Sequence, residues 1–164
     1  MKSKINIFLI ISAAFAITLT GWIYYQMSHK VGELKLDSEI DRNFKVCNED
    51  KIPHYYGMNT DYEGGKKAIK NKLLGKLQNL KFENPGLITF RFIVNCEGEI
   101  GRFRTESTNL KLENIEISSE KLNKIESALV DLKNWHPAKN EFYSYDSYYV
   151  LNFKIRNNRI VDIF

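Results

Sequence analysis

The sequence predicts an α+β fold: a small antiparallel sheet of three or four strands packed with two helices, preceded by a transmembrane helix. Three observations predict it. An uncharged run near the N-terminus is long enough to cross a bilayer. Two later segments place apolar residues three and four apart, as a helix lying on a core does. Three segments alternate apolar and polar residues or run β-branched and aromatic, as strands do.

The apolar run spans residues 5–27, and from Ile5 to Tyr25 it holds no charged residue. About 20 helical residues at roughly 1.5 Å each match the roughly 30 Å hydrocarbon layer. Lys2 and Lys4 precede it, and Trp22, Tyr24 and Tyr25 close it where amphipathic rings favour the membrane interface, so the N-terminus is expected on the inner side. A cleaved signal peptide is the rival, because Ala14-Phe15-Ala16 has a small-x-small form. Residues 1–4 are then the cytoplasmic end.

Residues 28–50 are polar, mixed in charge and without a hydrophobic period, which reads as a short tether. The remaining residues, 51–164, form one domain, since 164 residues with 43% hydrophobic and 27% charged side chains suit a single core plus appendages. From Asp61 an amphipathic helix carries Ala68, Ile69, Leu73, Leu77 and Leu80 on one stripe, with Thr60 or Asp61 as its cap. Its lysines 66, 67, 70, 72 and 76 read as a solvated face, with a surface for phospholipid or an acidic partner as the alternative. A strand over Leu87 to Val94 turns at Cys96-Glu97-Gly98-Glu99 into a return strand over Ile100 to Ser107. A second helix follows, with Ser118 or Ser119 as cap and Leu122, Ile125, Leu129 and Leu132 as its stripe. Trp135-His136-Pro137-Ala138 is expected to end that helix, because Pro lacks an amide hydrogen and biases His136 away from helix. The longest strand runs from Tyr145 to Arg156, and Asn157-Asn158 favours a tight reversal into Arg159 to Ile163.

Cys47 and Cys96 are the only cysteines. In an exported domain they are expected to form one disulfide, with two unrelated thiols as the alternative. Zinc-type ligand spacing is absent, so no metal and no cofactor are expected. The formal charge of +4 is too mild to imply nucleic acid. His29 lies in the tether, and His54 and His136 in expected loops. With no nucleophile motif or phosphate loop near any of them, no enzymatic activity is expected.

Several phrases, taken in order, resemble the C-terminal domain of the TonB family, in particular its divergent Bacteroidetes-type members. Tyr62-Glu63-Gly64-Gly65 with Ala68 resembles that family's aromatic-x-Gly-Gly helix opening. Phe90 to Gly98 resembles its strand ending in an acidic-Gly turn, and Trp135-His136-Pro137-Ala138 its Trp-x-Pro phrase before the last strand. The resemblance covers about residues 53 to 156. It implies a single-pass protein of a bacterial inner membrane with its C-terminal domain in the periplasm. That domain would bind a protein or peptide partner, an outer-membrane receptor among the candidates, as an energy transducer or an accessory to outer-membrane transport. The family's Ser and His pair in the anchor and its Pro-rich linker have no counterpart here, which favours the accessory form. Strand addition to an exposed sheet edge is the expected mode. The longest strand is the expected edge, with Tyr148, Val150, Asn152 and Lys154 as its partner-binding residues, unless the tail from Ile160 to Ile163 covers it. An ordinary solvated strand face is the plain alternative for those four. A structural domain that self-associates into a homodimer, with no transport role, is the alternative for the whole chain.

Overall fold

The computed structural model describes residues 2–30, 34, 37, 41, 43–50, 52, 53 and 59–164, without the side chains of 2–5 and 26–30. The chain divides into two compact units, Met1–Lys35 and Leu36–Phe164. The first is dominated by helix α1, Lys2–Lys30. Its stretch Asn6–Tyr25, 20 residues with a mean hydropathy of 2.0, is long and apolar enough to cross a membrane. Its large apolar side chains are uncovered, Phe8 and Ile17 each being 73% exposed.

The second unit is α+β. Its central sheet has the order β3-β2-β7-β8, from β2 (Gly86–Val94), β3 (Ile100–Asn109), β7 (Ser147–Arg156) and β8 (Arg159–Ile163), all antiparallel. Strict alternation places Ile88, Phe90, Phe92 and Val94 of β2 beside Tyr149, Leu151, Phe153 and Ile155 of β7 on one face. Two helices cover that face, α2 (Gly65–Leu77) with Ile69, Leu73 and Leu77 and α3 (Ser119–Val130) with Ile125, Ala128 and Leu129. Around Phe92 the core is aromatic, with ring centroids of Trp135, Phe103 and Tyr149 at 5.5, 5.3 and 5.6 Å.

Two short pairings close one end of the sheet. Strand β1 (Asp61–Tyr62) pairs with β4 (Trp135–His136), and β5 (Ala138–Lys139) with β6 (Ser144–Tyr145). The first of these corrects the expected helix start. Asp61 is strand, α2 begins at Gly65 with Gly64 as its N-cap, and both glycines hold the left-handed φ (80° and 66°) that turns the chain from β1 into the helix. Thr60 bonds the Ser147 hydroxyl at 2.6 Å instead of capping a helix. Ser118 stands at the N-cap of α3, where its carbonyl rather than its hydroxyl accepts from Lys121 and Leu122. Asn157 and Asn158 take φ of 50° and 61°, the paired left-handed values of a two-residue hairpin turn.

The tether is shorter than its composition implies. Of residues 28–50, α1 extends to Lys30, and Asp37, Asp41 and 43–50 belong to the folded unit. Asp41 accepts from Arg104 at 2.7 Å, Glu49 from Arg102 at 2.5 Å, and Phe44 packs against Gly101, where a Cβ would collide with its ring. No hydrophobic period marks this stretch because ion pairs and one ring, rather than an apolar face, hold it.

Candidate functional site

Strand addition needs an edge, and the topology decides where edges lie. Strand β7 is not one: β2 lies along one side, and β8 pairs with Phe153 to Arg156 on the other. Asn152 and Phe164 extend that pairing by exchanging amide–carbonyl bonds at 2.9 and 3.1 Å, and Tyr148 donates its amide to the Pro53 carbonyl at 2.9 Å. The expectation that the longest strand, with Tyr148, Val150, Asn152 and Lys154, is the sheet edge is therefore corrected, Tyr148, Asn152 and Lys154 being paired on its outer side. The hairpin turn at Asn157-Asn158 folds the tail back onto β7, as the alternative reading of Ile160 to Ile163 allowed. The four residues do share one face, the one away from the helices. There Tyr148 is buried and the other three half-buried, and Asn152 accepts from the Thr89 hydroxyl across the strand pair at 2.9 Å.

The outer strands are β3 and β8. Strand β3 is covered at both ends. Asn109 and Ser107 bond back to Glu113 and Ile115, while Phe44 lies over Gly101 and the Arg104 guanidinium caps the Phe103 carbonyl at 2.7 Å. Strand β8 is barer. The Asn152–Phe164 exchange turns the amides of alternate residues inward, which leaves the Ile163 amide facing out, where it donates to the neighbouring Asp162 carboxylate at 2.9 Å. Asp162 also pairs with Lys70 at 2.7 Å, and each of these two side chains remains about two-fifths exposed. The Lys70 hydrogen bond holds the Asp162 carboxyl below its ordinary pKa. No strand pairs beyond β8 among the described residues.

Three lysines of α2 make contacts within the fold. Lys70 takes Asp162, Lys76 takes Asp131 at 2.8 Å, and Lys72 donates to the Tyr62 hydroxyl at 2.8 Å.

At the other end of the sheet the expected disulfide is formed between Cys47 and Cys96, with Cα atoms 6.1 Å apart. Beside it lies Asp146, 1% exposed, whose carboxylate accepts the amides of Cys47 (2.8 Å), Asn48 (2.7 Å) and Cys96 (3.0 Å). Cys47, Cys96 and Asp146 have the proximity of a metal site. Both sulfurs are bonded to each other, however, and both carboxylate oxygens are occupied by amides, so the donor set does not suit an ion.

A cleft of about 630 Å³ runs between β3 and α3, lined by Asp41, Phe44, Arg102, Phe103, Glu126 and Lys133 among others. Burial, and then the charge of Asp41, raise the Glu126 carboxyl above its ordinary value. Asp41 is shifted down. Burial opposes that shift, and the hydrogen bonds from Arg104 and the Asp37 amide outweigh it. Among the described residues its lining includes no Ser, Thr, Cys or His. Of the histidines, His136 pairs with Asp61 at 2.7 Å on the exposed β1–β4 pairing, His54 lies outside the described residues, and the side chain of His29 is not among those described.

No protein-family model, curated protein or solved structure matches this chain.

Proposed function

We propose that the chain is a membrane-anchored binding module, held by α1 in a bacterial inner membrane, whose periplasmic α+β body takes up an extended peptide by strand addition. The observation that carries this reading is the outer edge of β8, where the Ile163 amide faces outward with only a side-chain carboxylate as its partner. An arriving strand replaces that carboxylate with a carbonyl and gains a ladder of main-chain bonds, while alternate side chains read its sequence. The disulfide supports an exported body, because such bonds persist in oxidising compartments. The Tyr62 to Gly65, Phe90 to Gly98 and Trp135 to Ala138 phrases support a TonB C-terminal-like module, and an accessory to outer-membrane transport is the role that suits an anchor with so short a tether.

The test is photocrosslinking in intact cells from p-benzoylphenylalanine placed at Phe164, which is 48% exposed beside this edge. Capture of an extended segment of an outer-membrane protein is the expected result. Capture of the chain by itself would favour a self-associating structural domain, and capture of neither would sink strand addition at β8.

A further inference from the structure

The end of the sheet where Asn109, Gly86 and Ile155 stand side by side differs from the other end in charge. Beyond β3 comes the loop Leu110-Lys111-Leu112, and beyond β7 the Asn157-Asn158 turn. Lys81 lies next to that turn, because the Phe82 amide donates to the Asn158 carbonyl at 3.0 Å. Four exposed cations, Lys81, Lys111, Arg156 and Arg159, stand on this rim. The ion pairs found among the described residues use Lys70, Lys76, Arg102, Arg104, Lys124 and His136, and none of these four. The rim's acids are Glu83 and Glu113, of which Glu113 accepts from the Asn109 side chain at 2.7 Å. At the opposite end the β2–β3 turn instead presents Glu97 and Glu99, both exposed.

The leucines of the rim are displayed rather than loose. Asn109 accepts the amides of Lys111 and Glu113 on its side chain at 2.8 and 3.1 Å and that of Leu112 on its carbonyl at 3.1 Å, closing the loop with Leu110 67% and Leu112 80% exposed. Leu112 also holds φ at 64°, a left-handed conformation that Gly or Asn adopts at less cost. A strained leucine that packs on nothing around it points to use of its exposed side chain.

We infer that this rim docks on the anionic headgroup surface of the bilayer that holds α1, with Leu110 and Leu112 entering the interface and the four cations facing lipid phosphates. The inference rests on reading α1 as an uncleaved anchor. From Lys30 to Asp37, whose amide bonds Asp41 at 2.9 Å, are seven residues, which reach at most about 25 Å. The body is thereby confined near that surface. A lipid surface fits better than a shaped protein partner because the feature is a protruding loop with cations spread across four strands, roughly 15 Å, and a fluid interface needs no complementary pocket.

The test uses the full chain reconstituted in vesicles. With Cys47 and Cys96 paired, Leu110→Cys supplies a single free thiol for a bimane label, and Phe142→Cys supplies another at the opposite end of the sheet, where Phe142 is 79% exposed. In phosphatidylglycerol vesicles with brominated acyl chains, the label at 110 is quenched and the label at 142 is not. Arg156→Gln with Arg159→Gln lowers the docked-to-undocked ratio roughly 30-fold, each lost cation being worth about a factor of five. Leu112→Asn, which suits the left-handed turn, leaves the melting temperature unchanged or higher and removes most of the quenching. An unquenched label at 110, equal quenching in pure phosphatidylcholine, or quenching at 142 instead would each overturn the proposal. Extraction by alkaline carbonate separates the two readings: release of the chain removes the anchor and with it the rim's role, whereas retention with no quenching at 110 removes the rim alone.

Discussion

The Asp146 carboxylate grips Cys47 across a separation of 99 residues, its Oδ2 accepting the Cys47 amide at 2.8 Å while its Oδ1 accepts that of Cys96 at 3.0 Å. A single buried side chain thus holds the backbone on both sides of the disulfide. An asparagine here has only one oxygen and turns an NH2 group toward amides that also donate. Asp146→Asn is therefore expected to lose about 2–4 kcal/mol of stability, seen as a lower urea midpoint, without any change in side-chain volume.

Reduction acts on the same segment by a different route. The bond closes a loop of 49 residues, so its loss costs about 4 kcal/mol in the chain-entropy model. Because Asp146 accepts the amides of the same two residues that the disulfide joins, their losses should not add. A cycle combining Asp146→Asn with the Cys47→Ser, Cys96→Ser pair is expected to show less destabilisation than the sum, measured by urea unfolding. Full additivity would mean that the two restraints hold different elements.

Acid should release this stretch first. The Glu49 carboxyl is lowered by its hydrogen bond from Arg102, and Asp41 is lowered, against burial, by those from Arg104 and the Asp37 amide. Folded values below unfolded ones of about 4 mean stability that is fully present above pH 4 and is lost as pH falls through the lowered values. Glu126 works in the opposite sense, since its raised value favours the fold as pH falls. The net expectation is a urea midpoint that drops between pH 5 and pH 3, and drops less in Asp41→Asn. Because the Glu49 side chain is half exposed, its share is screened and Asp41 should dominate.

How much of this was legible depends on what holds each piece. Alternation over Ser147 to Ile155 and the helical stripes of Ile69, Leu73 and Leu77 and of Ile125 and Leu129 are apolar periods, and they read directly as the core layers. Asn157-Asn158 read as a turn because two consecutive left-handed residues favour Asn. The two-residue pairing of Asp61-Tyr62 with Trp135-His136 was not legible, since two residues carry no period and the partners lie far apart in sequence. The docking of Asp41 to Glu49 was hidden for a related reason: carboxylate–guanidinium pairs between distant segments look in sequence like ordinary surface charge. The edge was misplaced because β7 has the strongest strand pattern, and a strand with so many apolar residues on one face is the one that neighbours cover.

Packing makes a sharp prediction at Gly101. A methyl group there would meet the root of the Phe44 ring rather than its flexible tip. Gly101→Ala is expected to cost about 1–3 kcal/mol by forcing Phe44 off β3. Proteolysis should then cut near residues 42–46 earlier than in the parent chain, while the Phe92–Trp135 core keeps its near-ultraviolet circular dichroism. A collapse of that aromatic signal would show instead that Phe44 and the core form one cooperative unit.

The last prediction separates the β8 edge from a merely solvated strand. Asp162 occupies the outward Ile163 amide, so it competes with any strand that pairs there. Asp162→Ala removes the competitor and its pair with Lys70, and the fold should hardly notice, because both side chains are substantially exposed and water screens their attraction. The melting temperature is expected to stay close to that of the parent, and the crosslink yield from position 164 to rise severalfold. If the melting temperature holds and the yield does not change, the Ile163 amide is not where a partner strand pairs. If the yield of self-crosslinked product alone rises, the freed edge joins a second copy of the chain, and the binding partner would have to be sought on another face.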